Sequence, residues 1–110
     1  MSIDLTDNGD ALLKALEALA NPHRLRILAH LHGAGRVWIS QMARDLGISR
    51  PLLHMHLKKL EGAGLVTGEL ALSEDGKALN WYSVTDFALT LTPDTISEAA
   101  KTLSPPKRKT

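Results

Sequence analysis

The clearest structural pattern in this chain is Ile39-Ser-Gln-Met-Ala-Arg-Asp-Leu-Gly-Ile-Ser-Arg-Pro-Leu-Leu-His-Met-His-Leu-Lys-Lys-Leu-Glu-Gly-Ala-Gly-Leu-Val66. Ser40 is expected to cap a short helix, because a serine hydroxyl accepts from the free amides of a first turn, and Gly47 is expected to end it in the left-handed conformation. Ser49 is expected to cap a second helix, with Pro51 in the first turn, where a missing amide costs nothing. Two short helices joined by a turn with glycine predict a helix-turn-helix unit.

The second helix of this unit has two different sides. Leu53, Leu57 and Leu60 recur at helical spacing and are expected to be buried. Because the second helix of such a unit lies in the major groove of DNA, Arg50 is a candidate for guanine and His54 for a base edge or a phosphate. The alternative is an ordinary amphipathic helix with a solvated face. The residues of this unit expected to bind DNA are Ser49, Arg50, Pro51, His54, Met55, Lys58 and Lys59.

Two helices and a short strand are expected before this unit. Asp10–Ala20 is rich in the strong helix formers Ala and Leu, with Asp7 as its N-cap. Asn21 is expected to cap a following helix that begins with Pro22. The short, β-prone segment Arg36–Ile39 predicts a brief strand. The residues of the second helix expected to face inward are Leu25, Leu28, Ala29 and Leu31.

A β-hairpin is expected after the unit. The pieces Leu65-Val66 and Glu69–Leu72 predict one side, Ala78–Val84 the other, and Asp75-Gly76 is a strong turn signal between them. A helix-turn-helix followed by such a wing is a winged helix, so the predicted fold class is mainly α with a small β-hairpin. Lys77 at the wing tip is a further candidate for DNA, although a solvated turn lysine explains it nearly as well.

The two ends of the chain complete the expected organisation. Residues Met1–Asn8 lack a period and are expected to lead in loosely, and Thr85–Leu91 is expected to be an extended connection. Thr92 and Pro93 then begin a last helix that runs to Leu103. We therefore expect one winged-helix domain over residues 1–103 and a disordered basic tail over residues 104–110.

Composition limits the functional classes. The net charge is only +1, but residues 36–60 hold five Lys or Arg residues against Asp45 alone, so basic charge is concentrated on the helix-turn-helix unit. The chain has no cysteine, which excludes disulfides and thiolate metal sites. No apolar run is long enough to span a membrane, and Met1–Asp7 shows no signal-peptide pattern, so we expect a cytoplasmic protein.

At this point the sequence resembles the ArsR-type winged-helix transcriptional regulators. The resemblance rests on Leu16-Glu-Ala-Leu-Ala-Asn-Pro-His-Arg-Leu-Arg-Ile-Leu28, on Leu46-Gly-Ile-Ser49, on His56-Leu-Lys-Lys-Leu60 and on Ala63-Gly-Leu-Val66, and it covers Leu12 to Val84. It implies a two-fold dimer in which the first and last helices pack together, since both carry more apolar surface than one small core consumes. The residues expected at that interface are Leu12, Leu16, Leu19, Ile96, Ala99 and Leu103.

The resemblance does not imply metal sensing of the types best known in the family, because the ligand residues are missing. Those members use a Cys-x-Cys pair at the first helix of the reading unit, or Asp and His ligands on the last helix. Here Trp38–Ala43 has no cysteine, and the last helix offers Asp94 and Glu98 but no histidine. His54 and His56 lie two apart on a helix and face different ways, so no metal or other cofactor is predicted within one chain. A site shared between two subunits is left open.

No enzyme is predicted, because the serines lie at caps and turns and no glycine-rich loop follows a strand. Trp38, Trp81 and Tyr82 are explained most simply by packing, with an effector pocket as the alternative. The predicted function is a dimeric, sequence-specific regulator that binds double-stranded DNA, with an unknown effector and no membrane association. The rival is a winged helix that binds only protein partners, since a fold does not determine a function.

Overall fold

The structure, a computed structural model, describes residues 3–106 as five helices and two small sheets. The order of elements is typical of a winged helix. A β-hairpin follows the fourth helix and is joined by a short strand that precedes the third helix. The elements are β1 (Ile3–Asp4), α1 (Gly9–Leu19), α2 (Pro22–Ala34), β2 (Arg36–Trp38), α3 (Ile39–Leu46), α4 (Arg50–Gly62), β3 (Val66–Leu72), β4 (Ala78–Val84), β5 (Phe87–Ala88) and α5 (Pro93–Ala100).

The wing is a three-stranded antiparallel sheet in the order β2-β4-β3. Trp38 pairs with Trp81 across β2 and β4, and β3 pairs with β4 from Val66 opposite Val84 to Leu72 opposite Ala78. The turn between β3 and β4 contains Gly76 at φ 85°, a conformation that glycine adopts without strain. The predicted hairpin is confirmed, and β3 is one continuous strand.

The core lies where α2, α3, α4 and the base of the wing meet. Its fully buried side chains include Ile27 and Leu31 of α2, Met42 of α3, and the α4 stripe Leu53, Leu57 and Leu60. Gly47 ends α3 at φ 66° and ψ 35°, as predicted for a left-handed C-cap. This turn sets α4 across α3, so one side of α4 is covered and the other stays in solvent.

The two chain ends are held together, which the sequence did not predict. Residues expected to lead in loosely form β1, which pairs in parallel with β5 inside the expected extended connection. The prediction of a loose lead-in was wrong because two-residue strands carry no periodicity, whereas the connection is extended as expected and contains β5. Gly9 of α1 donates its backbone N–H to Thr102 Oγ1 at 2.7 Å, which holds α1 against the end of α5.

Several helix boundaries differ from prediction by a short distance. Asn8, not Asp7, caps α1, since its Oδ1 accepts from the Ala11 amide at 3.0 Å. The prediction that Ser40 caps α3 is wrong, because α3 begins directly after Trp38 and Ser40 is its second residue. The last helix ends at Ala100 rather than at Leu103.

The buried side of α2 is rotated from the prediction. Ile27, Leu28 and Leu31 are buried, whereas Leu25 is 53% exposed and Ala29 is also exposed. The predicted stripe was wrong for these two residues because several apolar faces of an Ala- and Leu-rich helix look alike in sequence. Which of them is buried depends on the packing of α2 against α1, α4 and the strands β2 and β4.

The beginning of the expected tail is in contact with α1. Ser104 donates its backbone N–H to Asp10 Oδ1 at 2.9 Å, and its hydroxyl bonds the same carboxylate. These bonds hold the pKa of Asp10 below its usual value, because they favour the charged carboxylate. The rest of the predicted disordered tail, residues 107–110, lies outside the described residues.

None of the helices within residues 3–106 has the length and apolar character needed to cross a membrane.

Candidate nucleic-acid interface

The reading helix of the predicted unit is α4, and its start is as the sequence indicated. Ser49 is the N-cap, its side chain accepting from the Leu52 amide at 3.3 Å, and Pro51 lies in the first turn. The buried side of the helix consists of Leu53, His56, Leu57 and Leu60. The helix is therefore anchored along one side and free along the other.

All predicted DNA-binding residues of this unit are exposed in the structure. Two grooves flank the exposed side of α4. One, of about 400 Å³, lies between α4 and α1 and is lined by Lys14, Glu17, Met55, Lys58, Lys59 and Gly62. The other, of about 410 Å³, lies between α4 and the wing and is lined by Pro51, His54, Met55, Lys58, Glu61 and Tyr82. Met55 and Lys58 line both grooves, so they form the ridge between them.

Lys14 is a basic residue at this surface that the sequence analysis missed. It belongs to α1, yet it lines the same groove as Lys58 and Lys59 of α4. Glu17 is the acidic residue of that groove. No sequence pattern marked Lys14, because only the crossing of α1 over α4 brings the two helices together.

Arg36, in contrast, is part of the basic segment in sequence but is engaged elsewhere in the structure. Its guanidinium lies 4.2 Å from the ring centre of Trp81 and 3.7 Å from Glu69 Oε1. Trp81 also packs edge-on against Trp38, with ring centres 5.1 Å apart. The two tryptophans therefore pack the outer face of the wing, and Arg36 covers them.

The wing tip carries charge of both signs. Lys77 is exposed, and its backbone N–H donates to Ser73 Oγ at 3.1 Å, which holds the turn closed. The Ser73 hydroxyl donates in turn to the carboxylate of Asp75. Glu74 and Asp75 beside Lys77 reduce the attraction of this tip to phosphates. The role predicted for Lys77 stays a prediction.

A buried histidine on the inner side of α4 bonds to an arginine of α2. His56 is 3% exposed, and its Nδ1 lies 3.1 Å from Arg24 Nη1. A guanidinium can only donate, so Nδ1 accepts and the ring is neutral. Arg24 Nε also donates to the Ala18 carbonyl at 2.6 Å. One side chain of α2 thus ties the end of α1 to the middle of α4.

The environment of His56 disfavours its charged form. Burial lowers the pKa of His56 below the ordinary value, and the Arg24 charge and the nearby His23 add to the effect. His23 stacks on His56 with ring centres 5.4 Å apart. Among the described residues no cluster of three or more His, Asp or Glu side chains is placed to hold a metal ion.

Five of the six predicted dimerisation residues, all except Leu19, line an apolar groove between α1 and α5. Leu12 and Ala99 are buried within the chain, Leu19 packs against the core, and Leu16 is half-buried. Ile96 and Leu103 are about half-exposed, as is Leu13. The groove, of about 170 Å³, is lined by Gly9, Leu12, Leu13, Leu16, Ile96, Ala99, Ala100 and Leu103.

Sequence comparison agrees with this architecture. A family described as "Helix-turn-helix domain" matches residues 19–69. An HTH-type transcriptional regulator of Methanocaldococcus jannaschii is 40% identical over 76 residues, which cover 69% of this chain and 78% of that protein. The HTH-type transcriptional repressor SmtB of Mycobacterium tuberculosis is 40% identical over 60 residues, which cover 54% of this chain and 44% of the repressor.

Solved structures share the fold at lower identity. A homodimeric winged helix-turn-helix DNA-binding domain from Mycobacterium bovis, described as a possible ArsR-family transcriptional regulator, has a TM-score of 0.61 at 22% identity, covering 84% of this chain and 74% of that one. HlyU from Vibrio cholerae has a TM-score of 0.57 at 21% identity, with 84% of each chain covered. The chain therefore belongs to the HTH-type transcriptional regulators, a family of DNA-binding proteins rather than enzymes, and it shares its winged-helix fold with a domain described as a possible ArsR-family regulator.

Proposed function

We propose that this chain is a dimeric, sequence-specific transcriptional regulator that inserts α4 into the major groove of double-stranded DNA. The observation that carries the proposal is the exposed side of α4, which has cationic side chains at its start and along its length while its other side is anchored in the core. Arg50 lies in the first turn, where recognition helices contact base edges, and Lys58 and Lys59 are placed for phosphates.

The groove between α1 and α5 supports a dimer. Leu13, Ile96 and Leu103 expose about half of their surface around it, and burying them against a second copy would remove apolar area from water. One similar structure is described as homodimeric. Two recognition helices in one dimer would enter successive major grooves about 34 Å apart, which requires a pseudo-palindromic site.

The regulator we propose has no thiolate metal site, since the chain has no cysteine, and its effector remains open. Access to chromosomal DNA supports the expected cytoplasmic location. The rival, a winged helix that binds only proteins, is favoured by the exposed Leu52 and Met55 and by the small net charge. The basic side of α4 favours DNA.

Binding to duplex DNA as a function of salt tests the proposal. We expect the logarithm of the affinity to fall linearly with the logarithm of the salt concentration, and selected sequences to converge on a palindrome. Arg50→Ala should weaken binding by about 5- to 150-fold and relax the preference at one position, as for loss of a bidentate base contact. Arg26→Ala is the matched control, since Arg26 is exposed on α2 and lines neither groove beside α4. If the parent protein binds no duplex at low salt, the proposed function is wrong.

The dimer requires a separate test. Ile96→Glu places a charge in the α1–α5 groove and should yield monomers that lose tight operator binding. Leu25→Glu is its control, because Leu25 has a similar exposure on α2. Sedimentation and DNA affinity should change together for Ile96→Glu only. A monomeric variant with unchanged operator affinity would refute the link between them.

A further inference from the structure

The ridge of α4 that points furthest from the core is apolar at its centre. Met55 is 55% exposed, lies one turn after Pro51 and lines both flanking grooves. Leu52, three residues before Met55 on the same helix, is 37% exposed. In a helix that enters the major groove, the outermost ridge comes closest to the base edges. In such an arrangement, the side chain of α4 that lies closest to the base edges is the apolar side chain of Met55.

The polar side chains present on α4 limit which bases this helix can recognise through hydrogen bonds. Its sequence, Arg50–Gly62, contains no Asn or Gln, the residues that pair with adenine, and its acidic residue Glu61 lies in the last turn, far from the base-reading end. The remaining polar groups at the base-reading end are those of Ser49, Arg50 and His54, and the Ser49 hydroxyl already accepts from the Leu52 amide. Arg50 matches the two acceptors of guanine. The apolar group that a base pair presents in the major groove is the 5-methyl of thymine.

We propose that Met55 and Leu52 read thymine 5-methyl groups in each half-site, beside a guanine read by Arg50. This inference rests on the proposed function and names the sequence chemistry of the same site. The operator half-site should contain thymines at the positions that face the ridge of α4.

The surroundings of the ridge favour DNA over a protein as its occupant. Lys14, Lys58 and Lys59 line these grooves against one glutamate in each, Glu17 on the side of α1 and Glu61 on the side of the wing. An apolar centre with a rim in which lysines outnumber carboxylates is complementary to a methyl-bearing base edge between two phosphate backbones. A protein partner for the ridge would have to present acidic side chains around an apolar one.

Replacing thymine by deoxyuridine tests this directly, because it removes only the 5-methyl and leaves base pairing and both hydrogen-bonding edges unchanged. The operator is first selected from random duplexes, and each thymine is then replaced in turn. We expect a loss of about fourfold in affinity at each contacted thymine, the equivalent of about 0.8 kcal/mol for one buried methyl group. Replacements outside the half-sites should have no effect.

Variants assign the methyl contacts to side chains. Met55→Ala should bind the thymine operator more weakly and show no further loss with deoxyuridine at one position. Lys59→Gln is the matched control, since loss of a phosphate contact should weaken both operators equally and preserve the fourfold ratio. Because Met55 is exposed, thermal unfolding should confirm that Met55→Ala folds as the parent does.

Four results would overturn the inference. A specific operator that tolerates deoxyuridine at every position would exclude methyl reading. Persistence of the fourfold ratio in both Met55→Ala and Leu52→Ala would assign it to other residues. Full operator affinity in both variants would assign the ridge to a protein partner instead. Absence of binding to any duplex would refute the proposed function, and this inference with it.

Discussion

Replacing Gly9 with alanine tests how closely α1 packs on α5. An ideal Cβ on Gly9 would lie 2.3 Å from the Ala99 carbonyl oxygen and 2.8 Å from Leu103 Cγ. Leu103 can change rotamer, but the carbonyl belongs to the backbone of α5. The end of α5 would therefore have to move by about 1 Å to restore ordinary van der Waals separation.

The cost follows from the contacts that such a movement strains. Overpacking of a close interface typically costs about 1–3 kcal/mol. The bond from the Gly9 amide to Thr102 Oγ1, at 2.7 Å, would also be strained. The gain in helix propensity is small, because Gly9 is the first residue of α1. We expect Gly9→Ala to raise the equilibrium constant for unfolding by about 5- to 150-fold.

Gly33→Ala is the matched control, with the same chemical change in another helix. Gly33 is the penultimate residue of α2, and no heavy atom beyond its chain neighbours and its own helix backbone lies within 4 Å of the ideal Cβ position. Alanine there should stabilise the protein by about 0.5–1 kcal/mol, because glycine loses more conformational freedom on folding. The two substitutions should therefore have opposite signs.

Urea unfolding followed by circular dichroism measures both variants. All samples need the same protein concentration, because the stability of a dimer depends on it. Gly9→Ala should lower the midpoint and, by moving α5, weaken the dimer in sedimentation equilibrium, whereas Gly33→Ala should raise the midpoint. If Gly9→Ala is as stabilising as Gly33→Ala, the close packing of α1 on α5 described above is wrong.

Two further predictions concern α4. The lowered pKa of His56 means that the unfolded chain binds more protons below about pH 6.5, so the free energy of unfolding should fall with acid in that range and be fully recovered above it. His56→Asn keeps an acceptor near Nδ1 without a titrating ring, so its unfolding free energy measured between about pH 5 and pH 7.5 should depend less on pH; an unchanged dependence would contradict this account. Ser49→Ala should cost about 0.5–2 kcal/mol in thermal unfolding, whereas Ser40→Ala, at a position that caps nothing, should cost close to zero. Equal losses in the two serine variants would contradict the observed caps.

Local signals in the sequence predicted the reading unit and the wing well. Gly47 and Ser49 define the turn before α4 through their own backbone and side-chain preferences. The pair Asp75-Gly76 determined the hairpin in the same way, and β4 runs over the predicted Ala78–Val84. Such signals can be read from sequence because the groups that interact are within a few residues of one another.

Contacts between residues distant in sequence were not predicted. β1 and β5 are too short to show a pattern, and each exists only because the other is placed beside it. Lys14 reaches the exposed side of α4 through the crossing of two helices, whereas Arg36 packs on Trp81 of the wing. The sequence grouped Arg36 with the helix-turn-helix unit and left Lys14 out because of their positions along the chain, which do not determine distance in space.

The sequence by itself determined that this chain is a winged helix with a basic reading helix, because caps, turns and hydrophobic spacing act locally. Only the tertiary structure decided which surfaces remain for partners. The link from Arg24 to His56 ties α4 to α1 and α2, and it joins residues 32 positions apart. Burial of Leu53, Leu57 and Leu60 then leaves Met55 at the centre of the exposed ridge. Packing between helices decides which apolar residues are buried and which face solvent. That packing is defined only once all the helices are in place.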